Sequence, residues 1–249
     1  MRSRTTFVVV ITALAVLVVA IWAPRLLPRA HQPAPPAGSL ARRVELNGVS
    51  FDVVELSLDR YQLALVGGDG QGRKLSEVDG ALRTNAGIFE PDFTPTGLLV
   101  RDGLTVRPLN RAAGEGNFFL RPNGVFQLDA RGARVLETSE YTGEGVTLAT
   151  QSGPLLLHRG AVHPAFKPSS ANRVIRSGVG VRDARTVVFV ISRDLVTLYD
   201  FAVLFRDQLG CPDALYLDGI ISGQWTEGLE LDADTGPFAG ILTATARSP

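Results

Sequence analysis

Asparagine-glycine or aspartate-glycine pairs recur between apolar runs of this chain, and they restrict its fold more than any other feature. Asn47-Gly48 divides "VELNGVSFDVVEL", Asp102-Gly103 divides "GLLVRDGLTV" and Asn123-Gly124 divides "FFLRPNGVFQL". Such pairs tolerate the left-handed backbone that a two-residue hairpin turn needs at both central positions. Each therefore predicts an antiparallel hairpin. "YQLALVG" reads as a further strand, and the nearly continuous "RTVVFVIS" as a central strand covered on both faces. One helix is predicted in "VTLYDFAVLFRDQLGC". There Leu198, Phe201, Phe205 and Leu209 recur three and four residues apart, Thr197 with Asp200 resembles a capping box, and Gly210 suits the stop. The fold class that follows is α+β: one domain with a mixed sheet, hairpins and a few packed helices.

The amino-terminal part is unlike the rest. After "MRSR", the apolar run Phe7 to Ala23 is 17 residues long. That is the short edge of a membrane-spanning helix and longer than most signal-peptide cores. Ile21 occupies the position that a cleavage site wants small, so an uncleaved anchor and a cleaved signal both stay open. Residues 24–40 form a proline-rich spacer, semi-rigid and extended. The domain proper is then 41–249. It is expected outside the cytoplasmic membrane, periplasmic or otherwise extracytoplasmic, and either anchored or secreted. A formal net charge of zero argues against a dedicated nucleic-acid binder. The single cysteine, Cys211, allows neither an intramolecular disulfide nor a thiolate metal site by itself.

Chemistry concentrates in five stretches. "ALYLDGIISG" ends an apolar run on Asp218, then opens into Gly219 and reaches Ser222. Asp-Gly is a common turn pair, so Asp218 reads either as a turn residue or as a carboxylate held at a sheet rim. "TNAGIFEPDFTPTGLLV" is too long for a hairpin turn and gathers Asn85, Gly87, Glu90 and Asp92 among Ile88, Phe89 and Phe93. "GEGNFFLRPNG" surrounds Asn117 with glycine, "TQSGPLLL" carries Gln151 and Ser152, and "SSANRVIRSGVGV" carries Arg173 and Arg176 before a strand. An arginine on a stiff element suits a two-point grip on phosphate or carboxylate.

Other chemistries fit poorly. His158 and His163 are five apart, whereas a two-histidine zinc helix needs four with a glutamate between. "GGDGQG" lacks the dinucleotide spacing, Asp232 and Asp234 in "LDADTG" make an incomplete calcium loop, and no nucleophile elbow occurs. Which cofactor the chain uses, if any, stays open.

Taken in order, "TNAGIFEPDFTPTGLLVRDG", "NFFLRPNGVF", "TQSGPLLL", "IRSGVGV" and "ALYLDGIISG" resemble blocks of the phosphodiester glycosidase family over about residues 45–249. The resemblance implies a hydrolase that cleaves a sugar-1-phosphate linkage, here a glycosyl phosphodiester of the cell envelope. In that reading Asp218 and Arg176 are catalytic. Asn85, Gly87, Glu90, Asp92, Asn117, Gln151, Ser152, Arg173 and Ser222 surround the substrate, and no metal ligand is assigned. The departing phosphate monoester has a second pKa around 6, so it needs charge stabilisation more than a strong acid. Arginine supplies that, and a carboxylate activates water or stabilises the oxocarbenium-like centre. Ile220, Ile221 and Ala86 replace family glycines, which predicts a narrowed pocket. A noncatalytic domain that binds envelope glycan is the alternative.

Overall fold

The computed structural model describes residues 39–227 and 236–248, all within one compact unit. The apolar run 7–23, most of the spacer and the Asp232–Asp234 stretch lie outside the described residues.

Three antiparallel sheets make up the domain. The largest has the order β1 (Ala41–Leu46), β2 (Val49–Ser57), β13 (Thr186–Ser192), β12 (Ser177–Asp183), β14 (Asp213–Asp218), β10 (Leu155–His158), β11 (Ala161–Val162). The second runs β15 (Gln224–Thr226), β4 (Leu82–Asn85), β16 (Gly240–Ala246), β3 (Tyr61–Gly67). The third runs β6 (Leu104–Arg107), β5 (Leu99–Arg101), β9 (Leu148–Ser152), β7 (Gly124–Asp129), β8 (Gly132–Glu137). Among the described residues the one α-helix is α1 (Leu198–Val203), continued by a π-helical turn over Leu204–Gln208. The expected α+β class with a few packed helices is therefore corrected: the fold is mostly β. No helix among the described residues is long and apolar enough to cross a membrane.

Two of the three predicted hairpins form as read. Asn47 and Gly48 have φ of 52° and 73°, and Asp102 and Gly103 have 52° and 77°, the left-handed pair that joins β1 to β2 and β5 to β6. Asn123-Gly124 does not turn the chain. Gly124 starts β7 instead, and a β-carbon there would lie 2.4 Å from Leu155 Cδ2. The glycine answers a packing demand, and the hairpin closes later, between Asp129 and Gly132.

The predicted helix is present and capped as read: Thr197 Oγ1 accepts from the Asp200 backbone amide at 3.0 Å, and Gly210 adopts φ 64° past the end. It carries the chain from β13 over β12 to β14. Phe201, Phe205 and Leu209 pack there with Val188, Val190, Ala214 and Tyr216. The alternation in "SGVGV" explains how the helix comes so close. Added β-carbons at Gly178 and Gly180 would lie 3.0 Å from Phe201 and 2.7 Å from Phe205, while Val179 and Val181 enter the other core cluster. Successive strand residues face opposite sides, so one short sequence serves both layers.

Candidate active site

Asp218 ends β14 opposite Ser177, the first residue of β12, so Arg176 is one step from the position that faces Asp218. The register slips here, with Gly178 opposite Tyr216. Such bulges re-aim side chains and are frequent beside active sites. The loop after Asp218 folds back onto the strand ends. Ser222 Oγ lies 3.0 Å from both Ser177 Oγ and the Asp218 carbonyl oxygen. The Gly223 amide donates to Asn85 Oδ1 at 3.2 Å, and Thr84 Oγ1 donates to the Gly223 carbonyl at 2.9 Å. Ser152 Oγ donates to the Leu217 carbonyl at 2.9 Å. Residues far apart in sequence thus hold one strand end.

The Asp218 carboxylate accepts the Gly219 amide at 2.6 Å. Removal from water pushes its pKa up to about 7, with that one backbone donation pulling the other way. Among the described residues no ion pair reaches it.

Arg176 is almost wholly buried at 1% exposure. Its Nε donates to the Val196 carbonyl at 2.8 Å, one terminal nitrogen donates to the Tyr216 hydroxyl at 3.2 Å, and the other reaches the Asn172 carbonyl at 3.2 Å. Burial lowers its pKa, and the Tyr216 hydroxyl opposes that. Every one of these partners is neutral. A buried cation without a carboxylate is costly unless an anion completes it. Beside it is a cavity of about 250 Å³ lined by Asn117, Lys167, Asn172, Tyr199, Phe166 and Leu198 among others, with no carboxylate in the lining.

Tyr216 joins the two halves. Its hydroxyl receives Arg176, burial raises its pKa above that of an ordinary phenol, and the charge of Asp218 raises it further. The Asn117 amide pulls in the opposite direction. Tyr216 was not singled out from sequence, although a lone polar tip in an apolar strand, two residues before Asp218 and so on the same side by the strand's period of two, is a legible signal.

The remaining expected residues divide. Asn85 is fully buried, its Oδ1 engaged and its Nδ2 without a partner among the described residues. Gly87 sits at φ 149°, beside Thr150 and Ser152 of β9. Gln151, expected as a substrate contact, is engaged within the fold. Its Oε1 accepts from the Leu98 and Asn110 amides at 3.0 and 2.9 Å, and its Nε2 donates to the Asn110 carbonyl at 2.7 Å. Glu90 and Asp92 are exposed. Glu90 accepts Thr96 Oγ1, and Asp92 accepts the Thr94 amide, so both brace their own loop. Arg173 is a surface residue 3.7 Å from Asp200. The two isoleucines after Asp218 differ in setting. Ile221 packs against the cluster of Leu75, Phe238 and Ile241, Ile220 is 40% exposed, and the cavity beside Arg176 is lined by neither of them nor by Asp218. Ala86 is buried in the main core. Among the described residues no group of three histidine, cysteine or acidic side chains is placed to hold a metal ion.

The family profile described as phosphodiester glycosidase matches residues 79–237. The uncharacterized protein YigE of Escherichia coli K12 is 34% identical over 160 residues, 64% of this chain and 63% of that protein, so the chain spans less than two thirds of this relative. The catalytic domain of zebrafish N-acetylglucosamine-1-phosphodiester alpha-N-acetylglucosaminidase, solved in a form auto-inhibited by pro-peptide, is similar in structure: TM-score 0.62, 14% identity, 89% of this chain and 87% of that one. A hypothetical protein from Synechocystis gives a TM-score of 0.53 at 15% identity, over 83% of this chain and 61% of that one. At these identities the structural likenesses speak for the fold.

Proposed function

The chain belongs to the phosphodiester glycosidase family, and we propose that it hydrolyses the bond between the anomeric carbon of a sugar and a phosphodiester, with Arg176 on the phosphate and Asp218 on the water. The observation that carries this reading is the buried Arg176 guanidinium, which has only neutral partners and faces a cavity without a carboxylate. A phosphate there supplies the missing negative charge.

The reaction breaks the C1–O bond, and the electron pair leaves with the phosphate oxygen. Arg176 stabilises the growing charge on the monoester. Water bonds to C1 and passes a proton to the Asp218 carboxylate, whose pKa of about 7 suits a base working near neutrality. The unpartnered Asn85 Nδ2 is free to donate to a sugar hydroxyl. The noncatalytic alternative drew on crowding by Ile220 and Ile221. Hydrolysis is preferred here for the uncompensated Arg176 guanidinium, which calls for a phosphate.

The substrate assigned is a glycosyl phosphodiester of the cell envelope, reached by a protein that residues 7–23 anchor or export. Fractionation of cells that express the full chain tests the location. Recovery in the cytosol would sink it. The activity is tested by incubating purified protein with a panel of sugar-1-phosphodiesters and measuring release of phosphate monoester. Turnover that falls about 10²-fold or more in Asp218→Asn supports the reading. A parent protein inert on the whole panel overturns it.

A further inference from the structure

Tyr216 is 1% exposed, and a buried phenol is costly unless its hydroxyl is used. Its oxygen accepts from Arg176 at 3.2 Å, so the hydroxyl proton points elsewhere. Among the described residues nothing accepts that proton. The hydroxyl is held in place from several sides: the guanidinium lies 5.4 Å from the ring centroid, Asn117 approaches the oxygen, and Gly219 stays bare of a side chain where a β-carbon would strike it at 2.4 Å. An unused proton on Tyr216 and an uncompensated cation on Arg176 therefore sit on the same short axis, beside a cavity that Asn117 and Arg176 both line. A hydroxyl proton without an acceptor beside a cation without a counter-charge calls for one shared anionic oxygen.

We propose that the Tyr216 hydroxyl is a further catalytic group: it donates a hydrogen bond to the phosphate oxygen that leaves the sugar, beside Arg176. The inference rests on the glycosidase reading above. The phenol keeps its proton. An ordinary phenol has a pKa of about 10 and a phosphate monoester a second pKa of about 6, so transfer is disfavoured by about 10⁴-fold. The C1–O electron pair goes to the phosphate, the water proton goes to Asp218, and Tyr216 only stabilises the charge that develops.

The test compares Tyr216→Phe with the parent on sugars linked to alkyl and to aryl phosphates. A direct contact to the leaving oxygen matters most where that oxygen is most basic. We expect kcat to fall about 10²-fold on the alkyl series and clearly less on the aryl series, with KM changed only a few-fold. An equal loss on both series marks a structural role and overturns the proposal. Calorimetry with inorganic phosphate needs no turnover. We expect about tenfold weaker binding in Tyr216→Phe, as for one lost hydrogen bond to a charged group. Equal affinity overturns the Tyr216 assignment even if the parent is active, and a parent that binds phosphate but turns nothing over sinks the glycosidase reading and with it the catalytic role of Tyr216. Should Tyr216→Phe not fold, 3,5-difluorotyrosine at position 216 keeps the ring and makes the hydroxyl a better donor. A faster alkyl reaction supports the proposal, and an unchanged or slower one overturns it.

Discussion

The hydroxyl of Tyr216 occupies the space that a side chain at residue 219 would need, for a β-carbon on Gly219 would lie 2.4 Å from that oxygen. Gly219 is absent from the glycines with positive φ, so the Asp-Gly pair here is not a hairpin turn. The glycine is required by proximity. Gly219→Ala must displace the phenol or open the loop, and either movement disturbs Arg176. Overpacking of this kind costs about 1–3 kcal/mol. At about 2–4 °C per kcal/mol for a domain of this size, we expect Tm to fall by roughly 2–12 °C, with turnover reduced. Unchanged melting and unchanged turnover together would show that the contact has slack.

Asp218 makes the fold pH-dependent in a defined direction. Its carboxyl titrates at about 7 in the folded chain against an ordinary 3.8. Between those values the native state keeps a proton that the unfolded chain has released, so this group's contribution to stability declines as pH rises through the window and the full cost is present above pH 7. The whole shift corresponds to ~4 kcal/mol, and the partial solvent access of Asp218 reduces the share realised. Asparagine keeps the Gly219 bond and carries no charge. We expect Asp218→Asn to melt with the parent near pH 4 and a few degrees above it at pH 8. Equal melting at both pH values would mean that the carboxylate is well solvated.

The same titration governs catalysis. If Asp218 takes the proton from water, only the carboxylate form works. We expect log kcat/KM to rise with unit slope below about pH 7 and then level off, reporting the free enzyme. A profile that falls with pH through that range would assign Asp218 as an acid and reverse its role.

Much of this was legible in the sequence, and the failures have physical causes. The helix was readable because capping, apolar spacing and stop are all local, and the two true hairpins because their turn pairs need left-handed backbone. Asn123-Gly124 misled because glycine answers two different demands, conformation and space, and the second depends on Leu155 from another strand. The class was misjudged because no local pattern reports how few helices a domain has. Asn85, Ser152 and Ser222 each hydrogen-bond the backbone at or just after the end of Asp218's strand, and Arg176 precedes the strand paired with it; each stands where a strand gives way to a loop. Glu90 and Asp92 resembled them in setting and face solvent. Their loop is held by its own Phe89–Phe93 stack, with ring centroids 5.8 Å apart, which sequence spacing alone does not show.

Gln151 gives the last prediction, because the two roles open to it move different quantities. As a sugar ligand, its loss would raise KM and leave the fold alone. In the structure its amide instead ties β9 to the segment around Leu98 and Asn110, and both polar atoms are already engaged. Gln151→Ala leaves two buried amide donors and a carbonyl without partners, and each such group costs about 1–3 kcal/mol, less where water can enter. The substitution also opens a void beside Gly97, where an added β-carbon would lie 2.7 Å from Gln151 Oε1. We expect a Tm lower by roughly 5–15 °C. Below that transition, kcat/KM of the folded fraction should stay within about threefold of the parent, because the side chain offers substrate no free atom. A variant with parental melting and a KM raised tenfold would restore Gln151 to the substrate site.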